Sequence, residues 1–116
     1  MVQQNNKWNI TDKRGEEIAH RYIIEILKDS KHNTVSLSDL VTLLNQRTKH
    51  IKFINRSQIK PISVYLRCNY GNVINFLDKF LTYGLIINNS DIQVKLMNQA
   101  PMIDWILVDE DEFILV

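Results

Sequence analysis

The chain has 116 residues, 45% of them hydrophobic and 23% charged, and a formal net charge of +1, which is the profile of one ordinary globular domain. This composition excludes a disordered or collagen-like chain, and no apolar run approaches the roughly 20 residues that a membrane span needs. The N-terminus "MVQQNNKWNI" lacks the apolar core of a signal peptide, and the single cysteine, Cys68, cannot form an intramolecular disulfide. We therefore expect an intracellular protein, cytoplasmic or nucleoid-associated.

The N-terminal part of the chain predicts a short arm followed by a helix. Residues 1–10 are polar apart from Trp8 and Ile10 and are expected to form a flexible arm. The segment "TDKRGEEIAHRYIIEILKD", residues 11–29, begins with capping residues and has acids in its first turn. Its apolar residues lie along one face, which predicts an amphipathic helix.

A second helix is expected in "VSLSDLVTLLN", where Ser36 and Asp39 have the spacing of a capping box. The apolar residues of this segment recur at positions i, i+3, i+4 and i+7, which is helical spacing. Residues 46–60 show no clear period and fit either an extension of this helix or a basic loop.

Two further helices are predicted around a turn near Gly71. Proline is tolerated in a first helical turn, so Pro61 favours the start of a short helix that runs to about residue 69. A longer helix is expected at about residues 70–83, with an apolar stripe on one side and with Gly84 as its stop. The stripe consists of Val73, Leu77, Phe80 and Leu81.

After Gly84 the apolar period changes from 3.6 to 2, which predicts a β-hairpin over residues 85–96 with a four-residue turn from Asn88 to Asp91. Residues 97–116 contain two apolar runs, "WILV" and "FILV", on either side of four acids. We expect them to form an additional C-terminal β segment.

The net charge conceals an uneven distribution. Residues 1–80 carry 13 Lys and Arg against 7 Asp and Glu, whereas residues 81–116 carry one lysine against 6 acids. No acid lies between Asp39 and Asp78, and this span contains six basic residues. Such a stretch attracts polyanions; the alternative interpretation is a solvated segment whose lysines only aid solubility.

This order of elements predicts an α+β fold of the winged helix-turn-helix type, with the domain at residues 11–96. Residues 57–96 also resemble a family: Tyr70, Val73, "FL" at 76–77 and "YGLI" at 83–86 are similar to the recognition helix and wing of archaeal winged-helix regulators and chromatin proteins. The resemblance implies double-stranded DNA binding and transcriptional regulation, with the recognition helix at about 70–83 and the wing at 85–96. The basic segment 46–60 and the acidic C-terminal end depart from that pattern.

A DNA-binding interpretation assigns roles to polar and basic side chains. Asparagine can form a bidentate pair with adenine in the major groove, while basic and amide side chains hold phosphates. The base-reading candidates are Asn72, Asn75 and Tyr70. The candidates for the DNA backbone are Arg56, Lys60, Arg67, Lys79, Asn88, Asn89 and Lys95. The alternative for the two asparagines is helix capping, and for Tyr70 it is packing.

The sequence argues against an enzyme. His20, His32 and His50 lie far apart, and no metal-ligand motif, catalytic pair or glycine-rich phosphate loop occurs. We expect no cofactor, metal or small-molecule ligand, a half-buried His20, and a Cys68 buried between two helices.

A protein-interaction module is the alternative function. The apolar C-terminal end predicts a partner surface. A homodimer formed through residues 97–116 would reconcile the two functions, because paired subunits would present two basic faces to successive major grooves.

Overall fold

The computed structural model of the chain describes residues 8–97. Within this range the protein has an α+β fold with four α-helices and two small antiparallel sheets. The elements are α1 (Asp12–Asp29), a 3₁₀ turn (Lys31–Asn33), β1 (Thr34–Ser36), α2 (Leu37–Arg47), β2 (Phe53–Asn55), β3 (Gln58–Lys60), α3 (Ile62–Tyr70), α4 (Val73–Asp78), β4 (Tyr83–Asn88) and β5 (Asp91–Leu96).

The first two helices begin where their capping residues predict. The Thr11 side chain accepts a hydrogen bond from the Arg14 backbone N–H at 3.2 Å, and Ser36 accepts one from the Asp39 N–H at the same distance. These bonds satisfy N–H groups that a helix start leaves without partners. Ser36 is also the last residue of β1, so this strand leads directly into α2.

The larger sheet has the strand order β1-β5-β4. The predicted hairpin is confirmed as β4 and β5, although it starts earlier and its turn is shorter than expected. Asn88 pairs with Asp91, which leaves a turn of two residues, and Asn89 takes the left-handed conformation that asparagine tolerates, with φ 58°. β1 was not predicted; it is three residues long and pairs with β5 through Val35 and Val94.

Residues 46–60 are neither wholly a helix extension nor wholly a loop. α2 ends at Arg47, and a second hairpin follows, in which Ile54 of β2 pairs with Ile59 of β3. Each strand has only three residues, too few for an alternating pattern to stand out. Residues 8 and 9 lie alongside this hairpin, and Trp8 forms an isolated antiparallel β-bridge with Asn55.

The bounds predicted for the helix at about residues 70–83 are wrong. Tyr70 is the last residue of α3, and Gly71, with φ 94°, ends that helix in a conformation that side chains with a Cβ rarely adopt. α4 then covers only Val73–Asp78, because the chain must extend at Tyr83 to pair with Leu96. Leu81, expected in the buried stripe, is 95% exposed.

The core is centred on α1 and closed by the other helices and by the sheet. Ile10 is fully buried and the Trp8 ring packs edge-on against Tyr65 at 5.1 Å, so the predicted flexible arm does not extend to these residues.

The predicted β segment at 97–116 lies outside the described residues except for Met97. No helix between residues 8 and 97 is long and apolar enough to cross a membrane. Fully buried large side chains of the core include Tyr65, Phe53, Phe76, Ile10, Ile18, Ile23, Ile26, Leu27, Leu40, Leu44 and Ile62.

Candidate nucleic-acid interface

Helix α3 is held against α2 by a reciprocal pair of hydrogen bonds. Pro61, at the N-cap of α3, provides no side-chain cap. The Asn45 Oδ1 atom instead accepts from the Ser63 backbone N–H at 3.1 Å, and Asn45 Nδ2 donates to Ser63 Oγ at 3.0 Å. A residue of α2 therefore caps α3 and fixes the geometry of the helix pair.

The outer face of α3 is polar and carries a positive charge. Ile62, Tyr65 and Leu66 are buried, whereas Arg67 is exposed on the other side of the helix. Asn69 is exposed at the end of the helix, where its Nδ2 donates to the Tyr65 carbonyl at 2.9 Å. Cys68 is also exposed, so the prediction that it is buried between helices is wrong. Helical periodicity places it next to Arg67, on the side of α3 that faces away from α1.

Four of the predicted contact residues meet at the junction between α3 and α4: the three base-reading candidates and Lys79. Asn72 is the N-cap of α4, and its Oδ1 accepts from the Asn75 backbone N–H at 2.6 Å. Asn75 Nδ2 donates to the Tyr70 carbonyl at 3.1 Å. The Lys79 ammonium lies 4.9 Å from the centroid of the Tyr70 ring, which is within the range of a cation–π interaction.

These contacts limit how the junction could meet a base. A bidentate pair with adenine uses both the oxygen and the nitrogen of one amide, yet each asparagine already commits one of these atoms to the backbone. The Tyr70 hydroxyl donates to Glu16 Oε2 at 2.9 Å, and burial with this carboxylate raises its pKa above the ordinary value. Capping and packing are thus observed for these side chains, and base contact stays a prediction.

Arg67 and Asn72 line one shallow groove between α2, α3 and α4. Its volume is about 260 Å³, and its other walls include Leu37, Val41 and Val73. The groove joins the polar face of α3 to the start of α4, so these two predicted residues share one surface.

The predicted contacts to the DNA backbone lie at two separate places on the wing. Asn88 and Asn89 are exposed at the turn of the hairpin, whereas Lys95 pairs with Thr34 in the middle of the sheet. Lys95 lines a surface cavity of about 590 Å³ together with Lys31 and His32, two residues that were not predicted to lie at this surface. Recognition of β1 would have revealed this neighbourhood, but three residues give too little signal.

Other basic residues differ in their exposure and in whether a carboxylate balances their charge. Arg56 is exposed at the tip of the β2–β3 hairpin, and Lys60 lies half-buried at its base. Arg47 instead contacts Glu25 at 2.9 Å and Asp29 at 3.3 Å, and the bond to Glu25 raises its pKa. The charge of Arg47 is thus balanced by α1 despite its place in the acid-free span.

His20 belongs to the core. It is fully buried rather than half-buried, and its Nδ1 lies 2.6 Å from the Tyr83 hydroxyl oxygen. Burial lowers its pKa to about 3, because an imidazolium would lose its hydration there. The rings of Phe76 and Phe80 pack against it. Across residues 8–97, no three metal-binding side chains are grouped as a metal site would require.

Comparison of the chain with protein-family models, with curated proteins and with solved structures gave no match.

Proposed function

We propose that this protein binds double-stranded DNA through a winged helix-turn-helix arrangement, in which α2 and α3 are the helix pair and β4–β5 is the wing. The order α1, β1, α2, α3, β4, β5, with the β2–β3 hairpin between α2 and α3 and with α4 before β4, supports this arrangement, as does the sheet order β1-β5-β4. Such domains present a helix to the major groove and place a hairpin beside it.

The observation that carries the proposal is the outer face of α3. Arg67 and Cys68 are exposed there, Asn69 is exposed at the end of the helix, and no acidic residue occurs between Asp39 and Asp78. The reciprocal Asn45–Ser63 pair fixes α3 relative to α2, so this face is presented on a rigid support. Short amide side chains can read base edges in the major groove, whereas a guanidinium such as that of Arg67 can hold a phosphate. The reading element is therefore α3 with the α3–α4 junction.

Phosphate contacts come from side chains around this face. Arg67 and Lys79 flank the junction, while Asn88, Asn89 and Lys95 are exposed on the wing. If about five phosphates are engaged, the plot of log affinity against log salt should have a slope of roughly −4 to −5. In this proposal the protein acts in the cell as a transcriptional regulator, and as a homodimer that places two α3 helices on two half-sites.

A second candidate function is protein binding, which exposed apolar side chains on the wing and at its base favour. Leu81 is 95% exposed and Met97 60% exposed. On β4, Ile86 and Ile87 are 44% and 72% exposed. Exposed apolar side chains can form part of a protein contact surface.

Fluorescence anisotropy with labelled duplexes at several salt concentrations tests the DNA proposal. Arg67→Gln should weaken binding to every duplex and should reduce the salt slope by about 1. The matched control is Arg47→Gln, which removes the same charge from a residue already paired with two carboxylates and should leave affinity nearly unchanged. Absence of binding at low salt would reject the proposal and favour the protein-binding alternative.

A further inference from the structure

The turn of the β2–β3 hairpin has an unusual backbone for its sequence. Asn55 pairs with Gln58, which leaves Arg56 and Ser57 as a two-residue turn, with φ values of 52° and 69°. Positive φ at both positions is the signature of a type I′ turn, in which asparagine and glycine are the preferred residues. An arginine and a serine there hold a conformation that their side chains disfavour, and such strain concentrates at functional sites.

The base of this hairpin is firmly attached to the core. The Asn9 backbone N–H donates to the Ile54 carbonyl at 3.1 Å, and Asn9 Oδ1 accepts from the Ile54 N–H at 2.8 Å. Asn9 Nδ2 also donates to the Lys52 carbonyl at 2.9 Å. Phe53 is 1% exposed and packs on the Tyr65 ring of α3, with the centroids 5.1 Å apart. The exposed tip is thus carried by a stem that packs against α3.

From these observations we propose that the β2–β3 hairpin is a second DNA-contacting arm, whose tip inserts Arg56 into the minor groove. The inference rests on the proposed DNA-binding function. β3 leads through Pro61 directly into α3. If α3 lies in the major groove of the DNA, the hairpin is therefore placed beside that groove rather than inside it. A three-residue strand reaches about 10 Å, enough to cross one phosphate backbone into the adjoining minor groove.

The charge of the arm fits this placement. Lys52 is exposed and Lys60 half-buried, both at the base of the stem, where the hairpin would cross the phosphates, and Arg56 is the cation at the tip. A narrow minor groove, typical of A·T tracts, has an enhanced negative potential that attracts an inserted arginine. The arm therefore contributes a preference for A·T-rich duplexes, independent of major-groove contacts.

Modified bases separate the two grooves experimentally. Replacing adenine by 2,6-diaminopurine adds an amino group in the minor groove and leaves the major-groove edge of the pair unchanged. We expect the protein without substitutions to bind an A·T tract about tenfold more tightly than it binds the same tract with diaminopurine in place of adenine. Arg56→Asn should abolish this difference, because asparagine tolerates the left-handed backbone but removes the cation.

Two controls and three outcomes make the test decisive. Lys52→Gln removes one charge from the stem and should weaken both duplexes alike, while circular dichroism verifies that Arg56→Asn is folded. Equal binding of the two duplexes by the unmodified chain, or an equal loss on both for Arg56→Asn, would overturn the minor-groove arm and leave the DNA-binding proposal standing. Failure of the unmodified chain to bind either duplex at low salt would reject both.

Discussion

Asn45 and Ser63 exchange two hydrogen bonds, at 3.0 and 3.1 Å, across the interface between α2 and α3. Through this pair the amide of one helix caps the N-terminus of the next. Because α3 has no side-chain cap of its own, its orientation depends on a residue that lies 18 positions earlier in the chain.

Removing the Asn45 amide should destabilise the protein. Asn45→Ala deletes both bonds and leaves the half-buried Ser63 groups with fewer partners, so we expect a loss of about 1–2 kcal/mol in the free energy of unfolding. Urea denaturation followed by circular dichroism measures it. The adjacent exposed residue provides the control, since Gln46→Ala should have little effect. Equal stability of the two variants would contradict the role of Asn45 as the cap of α3.

A methyl group at Gly15 should be strongly destabilising, although alanine is normally the better helix residue. Gly15 is buried in α1, and a Cβ atom there would overlap the ring of Tyr65. Gly15→Ala should therefore cost about 2–3 kcal/mol through overpacking, against the gain of about 1 kcal/mol that helix propensity alone predicts. Thermal unfolding decides between these opposite signs, and a raised melting temperature would show that α1 and α3 pack less closely than described.

Stability should fall on the acid side because of His20. The burial that lowers its folded pKa to about 3 is lost on unfolding, where its ordinary pKa is 6.5. Between these values the unfolded chain binds more protons, so this contribution is complete above pH 6.5 and declines toward pH 3, by at most about 1.4 kcal/mol per pH unit.

The His20 contribution can be separated from that of the carboxylates, which also titrate in this range. His20→Gln lowers stability at neutral pH but removes the imidazole. The difference in unfolding free energy between the original protein and the variant should therefore shrink as the pH falls from 7 to 4. A difference that is constant over this range would contradict the buried neutral imidazole.

Asn72 can be tested for capping and for base contact separately. Asn72→Ala should cost about 1 kcal/mol of stability by removing the cap of α4, whereas Asn72→Ser retains a capping oxygen and should remain close to the original. Urea denaturation of both variants checks this. If Asn72 also reads a base, the stable serine variant should lose sequence preference in anisotropy measurements. Equal destabilisation by both substitutions would contradict the capping role.

Local signals account for the parts of the fold that the sequence predicts. Thr11 and Ser36 mark the starts of α1 and α2 because a cap acts within four residues. The alternation around Val94 likewise predicts the β4–β5 hairpin. By contrast, β2 and β3 depend on Asn9, more than 40 residues away in sequence, and strands of three residues leave no periodic signal.

The same distinction explains the candidate site. The charge pattern indicates Arg67 and Arg56, which are exposed, but composition alone cannot show that Glu25 and Asp29 balance the charge of Arg47. The predicted recognition helix had the wrong bounds because Leu81 continues the apolar period of α4 although the chain has already left the helix.

The most direct test of DNA binding is an NMR titration of the ¹⁵N-labelled chain with a short A·T-rich duplex, monitored through backbone amide shifts. The account predicts the largest shifts at Arg67–Asn69 on α3 and at Asn88 and Asn89 on the wing, diminishing as salt is added. Shifts confined to Leu81, Ile87 and Met97, or none at low salt, would contradict it.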